Sequence, residues 1–331
     1  MKVRSIYTLM LVATLSLAGC HQKVINDDMP DNEKLEVLDL KVEKHPNDAS
    51  VRAQRAQVLL NLGRTKEALL DIGKAVSIEP KNADYLMLQG DIYFALGDIA
   101  QSYKSLSEAE SIRPESIEVQ LKEGEISFYS RDYERSMRHL TAVTEREPEN
   151  RTALFMKGFI YKEQGDTANA ITLLRRVCDI YPDYEPAFEE LGILYSTHNI
   201  PLAEEYLNTA LRLEPSNTNA MYALAMYYQN IDALDQAEAL YRKIIEINPN
   251  SSDAWHNLGY MELFRYRDYE KAIEYFTKAA EADETNIAAL TNRGCAYELS
   301  NNYAAARADF NAALAIDPNY QPAIEGLKRI K

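Results

Sequence analysis

Two hydrophobic patterns alternate along this chain, and each returns about every 34 residues. The first is built on small residues at Ala56, Gly90, Gly124, Gly158, Gly192, Ala225, Gly259 and Gly294. Three residues after each comes Leu59, Tyr93, Ser127, Tyr161, Tyr195, Tyr228, Glu262 or Tyr297, most of them aromatic. The second begins at Ala68, Ser102, Ser136, Ala170, Ala203, Ala237, Ala272 and Ala306. Apolar residues follow four and seven places on, as in Leu174 with Val177, Phe276 with Ala279, and Phe310 with Ala313. Spacings of three, four and seven put each set on one face of a helix. Every period therefore predicts two amphipathic helices, A and B. The small residues let their axes approach closely, and the larger ones fill the space around the crossing.

Between the helices stand turn residues such as Leu96-Gly97-Asp98, Gln164-Gly165-Asp166 and Ser300-Asn301-Asn302. After helix B stands Pro46, Pro80, Pro114, Pro148, Pro182, Pro215, Pro249 or Pro318. Proline cannot extend a helix and biases the residue before it away from one. Successive intervals are 34, 34, 34, 34, 33, 34 and 69 residues, with Glu284 where the skipped proline would fall. A fixed period of this length is the mark of one supersecondary unit stacked on itself. The expectation is an all-α solenoid of eight helix-turn-helix repeats over residues 47–318. A flanking helix is expected at 33–46, carrying Leu35, Leu38, Leu40 and Val42, and a capping helix at 319–331. Lys328, Arg329 and Lys331 suit the dipole at the end of that cap.

Repeat seven carries Trp255, Leu258-Gly259, Ala272 and Phe276, departing only at Glu262 and Glu284. Repeat eight carries Leu290, Gly294, Tyr297, Ala306, Phe310 and Pro318. In type and offset these residues resemble the tetratricopeptide repeat family. Repeat one departs most, with Arg55, Ala56 and Leu59. The resemblance implies a superhelix whose A helices line a concave, ligand-binding face.

Counting each repeat from Ala49, Ala83, Ile117, Arg151, Glu185, Thr218, Ser252 and Ile287, positions 2, 5, 9 and 12 should face that groove. They bring aromatic residues Phe94, Phe128, Phe155, Phe159, Tyr222 and Tyr260 to one stripe, with acids Asp84, Asp91, Glu118, Glu125, Glu189, Asp253 and Glu298 against one base, Lys162. Apolar surface rimmed by polar groups marks partner sites, so Phe94, Phe128, Phe155, Phe159, Tyr222, Tyr260, Asp91 and Glu125 are the candidate partner-binding residues. The alternative is that individual rings pack against the next A helix. The family's Lys/Asn carboxylate clamp is missing: position 5 offers no lysine and position 9 no asparagine. Asn257 and Asn292, at position 6, could bond an extended peptide backbone, but two do not make a ladder. The expected ligand is an apolar or basic protein segment, extended or helical.

The first twenty residues follow another pattern. Lys2 and Arg4 precede an apolar run from Ile6 to Leu17, too short to span a membrane, which ends in Leu17-Ala18-Gly19-Cys20. This resembles the lipobox of bacterial lipoproteins and implies a signal peptide at 1–19 and acylation of Cys20. Each buried CH₂ of an acyl chain contributes about 0.8 kcal/mol, so two or three chains anchor firmly. Residues 20–32 then form a polar tether, reaching roughly 40 Å when extended. His21 after the cysteine resembles lipoproteins delivered to an outer membrane.

Charge narrows the partners further. With 51 acidic and 36 basic residues the net charge is −15, which argues against nucleic acid and for solubility and repulsion from anionic lipid. Cys178 and Cys295 lie in repeats four and eight with three repeats between them, too far for a disulfide in a rigid stack, and read as structural. The five histidines show no metal-ligand spacing, and no phosphate loop, nucleophile elbow or zinc-protease motif occurs. No metal, cofactor or enzymatic activity is expected. Asp166-Thr167-Ala168 resembles a bacterial O-glycosylation triplet, but a helix-capping turn accounts for it equally well. The sequence favours a lipid-anchored envelope scaffold that binds other proteins, with a self-assembling structural protein as the alternative.

Overall fold

A computed structural model describes residues 28–330. The expected signal peptide, Cys20 and most of the expected tether lie outside the described residues. Among those described, all regular structure is helical. Helix α1 (Asp31–Lys44) leads, and eight A–B hairpins follow: α2 (Ala49–Asn61) with α3 (Thr65–Ile78), α4 (Ala83–Ala95) with α5 (Ile99–Ile112), α6 (Ile117–Tyr129) with α7 (Tyr133–Arg146), and α8 (Arg151–Glu163) with α9 (Thr167–Ile180). Then come α10 (Glu185–Thr197) with α11 (Leu202–Leu213), α12 (Thr218–Asn230) with α13 (Leu234–Ile247), α14 (Ser252–Met261) with α15 (Tyr269–Ala282), and α16 (Ile287–Leu299) with α17 (Tyr303–Ile316). Helix α18 (Gln321–Arg329) closes the array. The fold is the all-helical repeat solenoid that the periodicity predicts. Its contacts divide it into two compact units, one ending at Ile126 and the other beginning at Ser127.

In both units the hairpin core is the same. Ala68, Ser102, Ser136, Ala170, Ala203, Ala237, Ala272 and Ala306 are all fully buried, as are Ile72, Leu106, Leu140, Leu174, Leu207, Tyr241, Phe276 and Phe310 four residues on. Glycine on helix A makes room for these larger side chains. A Cβ at Gly192 would come within 2.6 Å of Leu207, and one at Gly294 within 2.7 Å of Phe310. The flanking helix buries Leu35, Leu38 and Val42, while Leu40 is 59% exposed. Residues 35, 38 and 42 share a stripe, and Leu40 falls well outside it.

Capping explains the acidic and amide residues at the helix starts. Side chains of Asp48, Asn82, Asn150, Asn217 and Asn286 accept the first-turn N–H groups of A helices. Asp98, Asp132, Asp166, Asp268 and Asn302 do the same for B helices. Each such cap stabilises its helix by about 1 kcal/mol. Asp166, of the Asp166-Thr167-Ala168 triplet, thus has a capping role, accepting from Asn169 N at 3.2 Å. At the B–A junctions, position 4 ties the chain back to the proline: Arg52 Nε donates to the Pro46 carbonyl at 2.6 Å, and Trp255 Nε1 to that of Pro249 at 2.8 Å.

The departures in repeat one also have a cause. Arg55 donates to buried Asp71 at 2.5 and 2.9 Å, and Arg52 adds a third bond at 2.7 Å. Repeat eight repeats this pair in the same register, with Arg293 on Asp309 at 2.8 and 2.7 Å. Between them, repeats five to seven fill the equivalent helix-A position with Leu191, Leu224 and Leu258, all buried in apolar clusters. Both cysteines are free thiols. Cys178 is buried, and burial pushes its thiol up to about 12.

Candidate functional site

In repeats three, five, seven and eight, position 6 of helix A, which lies beside the predicted groove stripe, ties the helix to the A helix before it. Lys122 on α6 reaches Asp91 on α4 at 3.3 Å and its own neighbour Glu125 at 3.2 Å. Glu190 on α10 accepts from Lys162 on α8 at 2.5 Å. Asn257 on α14 donates to the Tyr222 hydroxyl on α12 at 3.1 Å, and Asn292 on α16 lies 3.0 Å from His256 Nε2 on α14.

This arrangement bears on the acidic stripe and on the two asparagines. Asp91 and Glu125 are not free acids, because they share Lys122, and the three side chains together keep one net negative charge rather than two. Burial pushes the Asp91 carboxyl up, and Lys122 opposes that shift. Burial works against the Lys122 ammonium, but the two carboxylates outweigh it and hold its pKa above the ordinary lysine value. Asn257 and Asn292 each turn their side-chain NH₂ group toward the preceding A helix. Asp84 is likewise paired with Arg113, and Glu298 with Arg329 at 2.8 Å.

The six aromatic residues are divided between the units. In the first, Phe94 is partly buried against the cluster of Leu86, Met87 and Leu106. In the second, Phe128 and Phe159 meet edge-to-face at 5.3 Å, with Lys162 Nζ 4.1 Å from the Phe159 centroid. Phe155 stands edge-on to Tyr184 at 5.4 Å. All four rings are partly exposed while packing on neighbours. Tyr260, 41% exposed, pairs instead with Phe264 at 4.4 Å.

Tyr222 is the one of the six that lines a well-formed cavity. A pocket of about 560 Å³ opens on the face made by α10, α12 and α14. Its wall carries Ile193 and Ser196 from α10, Asn219, Tyr222 and Met226 from α12, and Asp253 from α14. These are positions 2, 5, 9 and 12 of their repeats, the register expected of a groove. Asn230, Asn248 and Ser251 complete a polar rim. Among its lining residues Asp253 is the sole ionisable acid, and no base joins it. Unlike Asp84, Asp91, Glu125, Glu190 and Glu298, the Asp253 carboxylate has no ion pair among the described residues. The pocket can thus take an apolar side chain and place a positive charge beside its mouth.

These features define a helical-hairpin repeat protein with a ligand-sized cleft on its A-helix face. A family model described as "Tetratricopeptide repeat protein 21 N-terminal ARM repeat" matches residues 126–328, and a tetratricopeptide repeat model matches residues 53–117. The chain belongs to the tetratricopeptide repeat family.

Relatives of known name include Superkiller protein 3 of Schizosaccharomyces pombe, 29% identical over 42% of this chain and 10% of that protein. Anaphase-promoting complex subunit 3 of the same yeast is 27% identical over 47% of this chain and 24% of that protein. The chain thus spans a quarter or less of the length of these two relatives. Among solved structures, a tetratricopeptide repeat protein from Parabacteroides merdae superposes with a TM-score of 0.56, at 18% identity over 75% of this chain and 98% of that one. PilW, a type IV pilus biogenesis factor, gives 0.57 at 19% identity over 62% and 96%.

Proposed function

We propose that this chain is a non-enzymatic, protein-binding scaffold, held to a bacterial outer membrane through acylated Cys20. Its groove takes an extended partner segment in which an apolar side chain sits next to Lys or Arg. The pocket between α10, α12 and α14 carries the reading, because it joins an apolar wall of Ile193, Tyr222 and Met226 to the unpaired Asp253 carboxylate. Relatives named as members of complexes support a scaffold role: Anaphase-promoting complex subunit 3, and BBSome complex member BBS4 of Bos taurus, 27% identical over 48% of this chain and 30% of that protein. Anchoring rests on Leu17-Ala18-Gly19-Cys20.

The test is fluorescence anisotropy with a labelled peptide of alternating Leu and Lys. Asp253→Lys should weaken binding about tenfold or more, chiefly at low salt, and Met226→Ala should weaken it at all salt concentrations. Equal binding by both variants and the parent would contradict the assignment.

A further inference from the structure

The turn joining α14 to α15 differs from its counterparts in the other hairpins. Elsewhere helix A ends in a short turn whose left-handed residue is Gly63, Gly97, Arg131, Gly165, Asn199, Asp232 or Asn301. Repeat seven has one residue more, and the chain absorbs it in a π-helical turn, Glu262–Tyr266, followed by left-handed Arg267 (φ 56°). Such π turns are rare and recur at functional sites. This one is firmly seated: Met261 just before it and Leu263 within it are buried, the Asp268 N–H donates to the Glu262 carbonyl at 3.0 Å, and the Tyr266 hydroxyl bonds Glu238 at 2.9 Å.

Its outer surface is aromatic and basic. Phe264 is 54% exposed and Tyr266 43%, and the Tyr260–Phe264 ring pair extends the patch. Arg265 lies 5.5 Å from the Tyr266 centroid, and its one ion pair, to Asp235 at 3.6 Å, joins two exposed groups and is weak. Arg267 is exposed and has no ion pair among the described residues. The neighbouring acids are already engaged, Asp268 by Lys271 at 3.2 Å and Glu238 by Arg242 at 2.7 Å. On a chain of net charge −15, an uncompensated guanidinium beside open rings is complementary to acid and to apolar surface together.

We infer that this turn is a second interaction surface, which takes an acidic segment of a partner protein carrying an apolar side chain. The seated turn holds the backbone that carries the rings, which lowers the ordering cost of binding. The two arginines steer and hold the carboxylates. The groove takes the opposite charge, so the two surfaces select different partners.

Full-length protein titrated with a fluorescent octapeptide of alternating Asp and Leu tests this. Binding should fall about tenfold or more in Arg265→Glu/Arg267→Glu and in Phe264→Ala. It should weaken as salt rises from 50 to 300 mM, and should stay unchanged in Asp253→Asn. All substituted side chains are exposed, and circular dichroism of each variant checks the fold. The inference is overturned if the peptide does not bind, or if the charge-reversed variant binds it equally. It is also overturned if sedimentation shows a self-associated parent that Arg265→Glu/Arg267→Glu returns to monomer, since the patch would then serve a second copy of the chain.

Discussion

At the scale of single residues, space at the helix crossings decides what is tolerated. A Cβ at Gly192 would lie 2.6 Å from the Leu207 side chain and 3.0 Å from its backbone nitrogen, so relief would require α11 to move. At Gly158 the nearest atoms are side-chain carbons of Leu174 at 3.1 and 3.2 Å, which rotamer adjustment relieves. Gly192→Ala should therefore cost about 1–3 kcal/mol, and Gly158→Ala clearly less, as read from thermal melts of the two variants. A larger loss for Gly158→Ala would mean that backbone approach does not govern these sites. This contrast was half legible beforehand. Recurrence identified the small positions, but the sequence does not reveal which crossing is tightest.

At the scale of elements, the hairpins share a core yet close it in two ways. Repeats one and eight place an Arg–Asp pair where repeats five to seven place leucine. Removing one partner leaves a buried charge, so Arg293→Leu should destabilise by about 3 kcal/mol or more. Changing Asp309→Leu as well should recover most of that loss, because an apolar pair replaces an ionic one. Chemical denaturation of the two single variants and the double variant measures the coupling. Strict additivity would show that the pair is not energetically joined. Such pairings escaped the sequence because positions 7 and 23 lie on different helices, and periodicity marks both as inward-facing without saying which inward-facing residues meet. The ties at position 6 escaped for a similar reason. Lys122, Glu190, Asn257 and Asn292 find partners on the preceding A helix, and the offset between adjacent helices decides which partner each reaches. The acidic stripe therefore read as open, whereas four of its seven acids are ion-paired, and of Glu118, Glu189 and Asp253, which have no ion pair among the described residues, Asp253 alone lines the pocket.

At the scale of the whole molecule, the account combines an anchor and a groove. If Cys20 is the acylated residue, Cys20→Ala should abolish incorporation of a clickable fatty acid and release the protein from the membrane fraction. Undiminished labelling would locate the anchor elsewhere. The eight-repeat fold was legible because periodicity is a property of the chain itself. The groove was legible only in register: positions 2, 5, 9 and 12 do line the pocket, yet of the six aromatic candidates Tyr222 alone lies in it. Tyr260 instead pairs with Phe264 of the π turn.

The central claim is that the A-helix face of α10, α12 and α14 receives the partner. Hydrogen–deuterium exchange of the full-length protein, with and without the Leu/Lys peptide, tests it most directly. The account predicts slowed exchange concentrated in Glu185–Thr197, Thr218–Asn230 and Ser252–Met261, lost in Asp253→Lys. Protection falling instead on the B helices α11, α13 and α15, with these A helices unchanged, would contradict it.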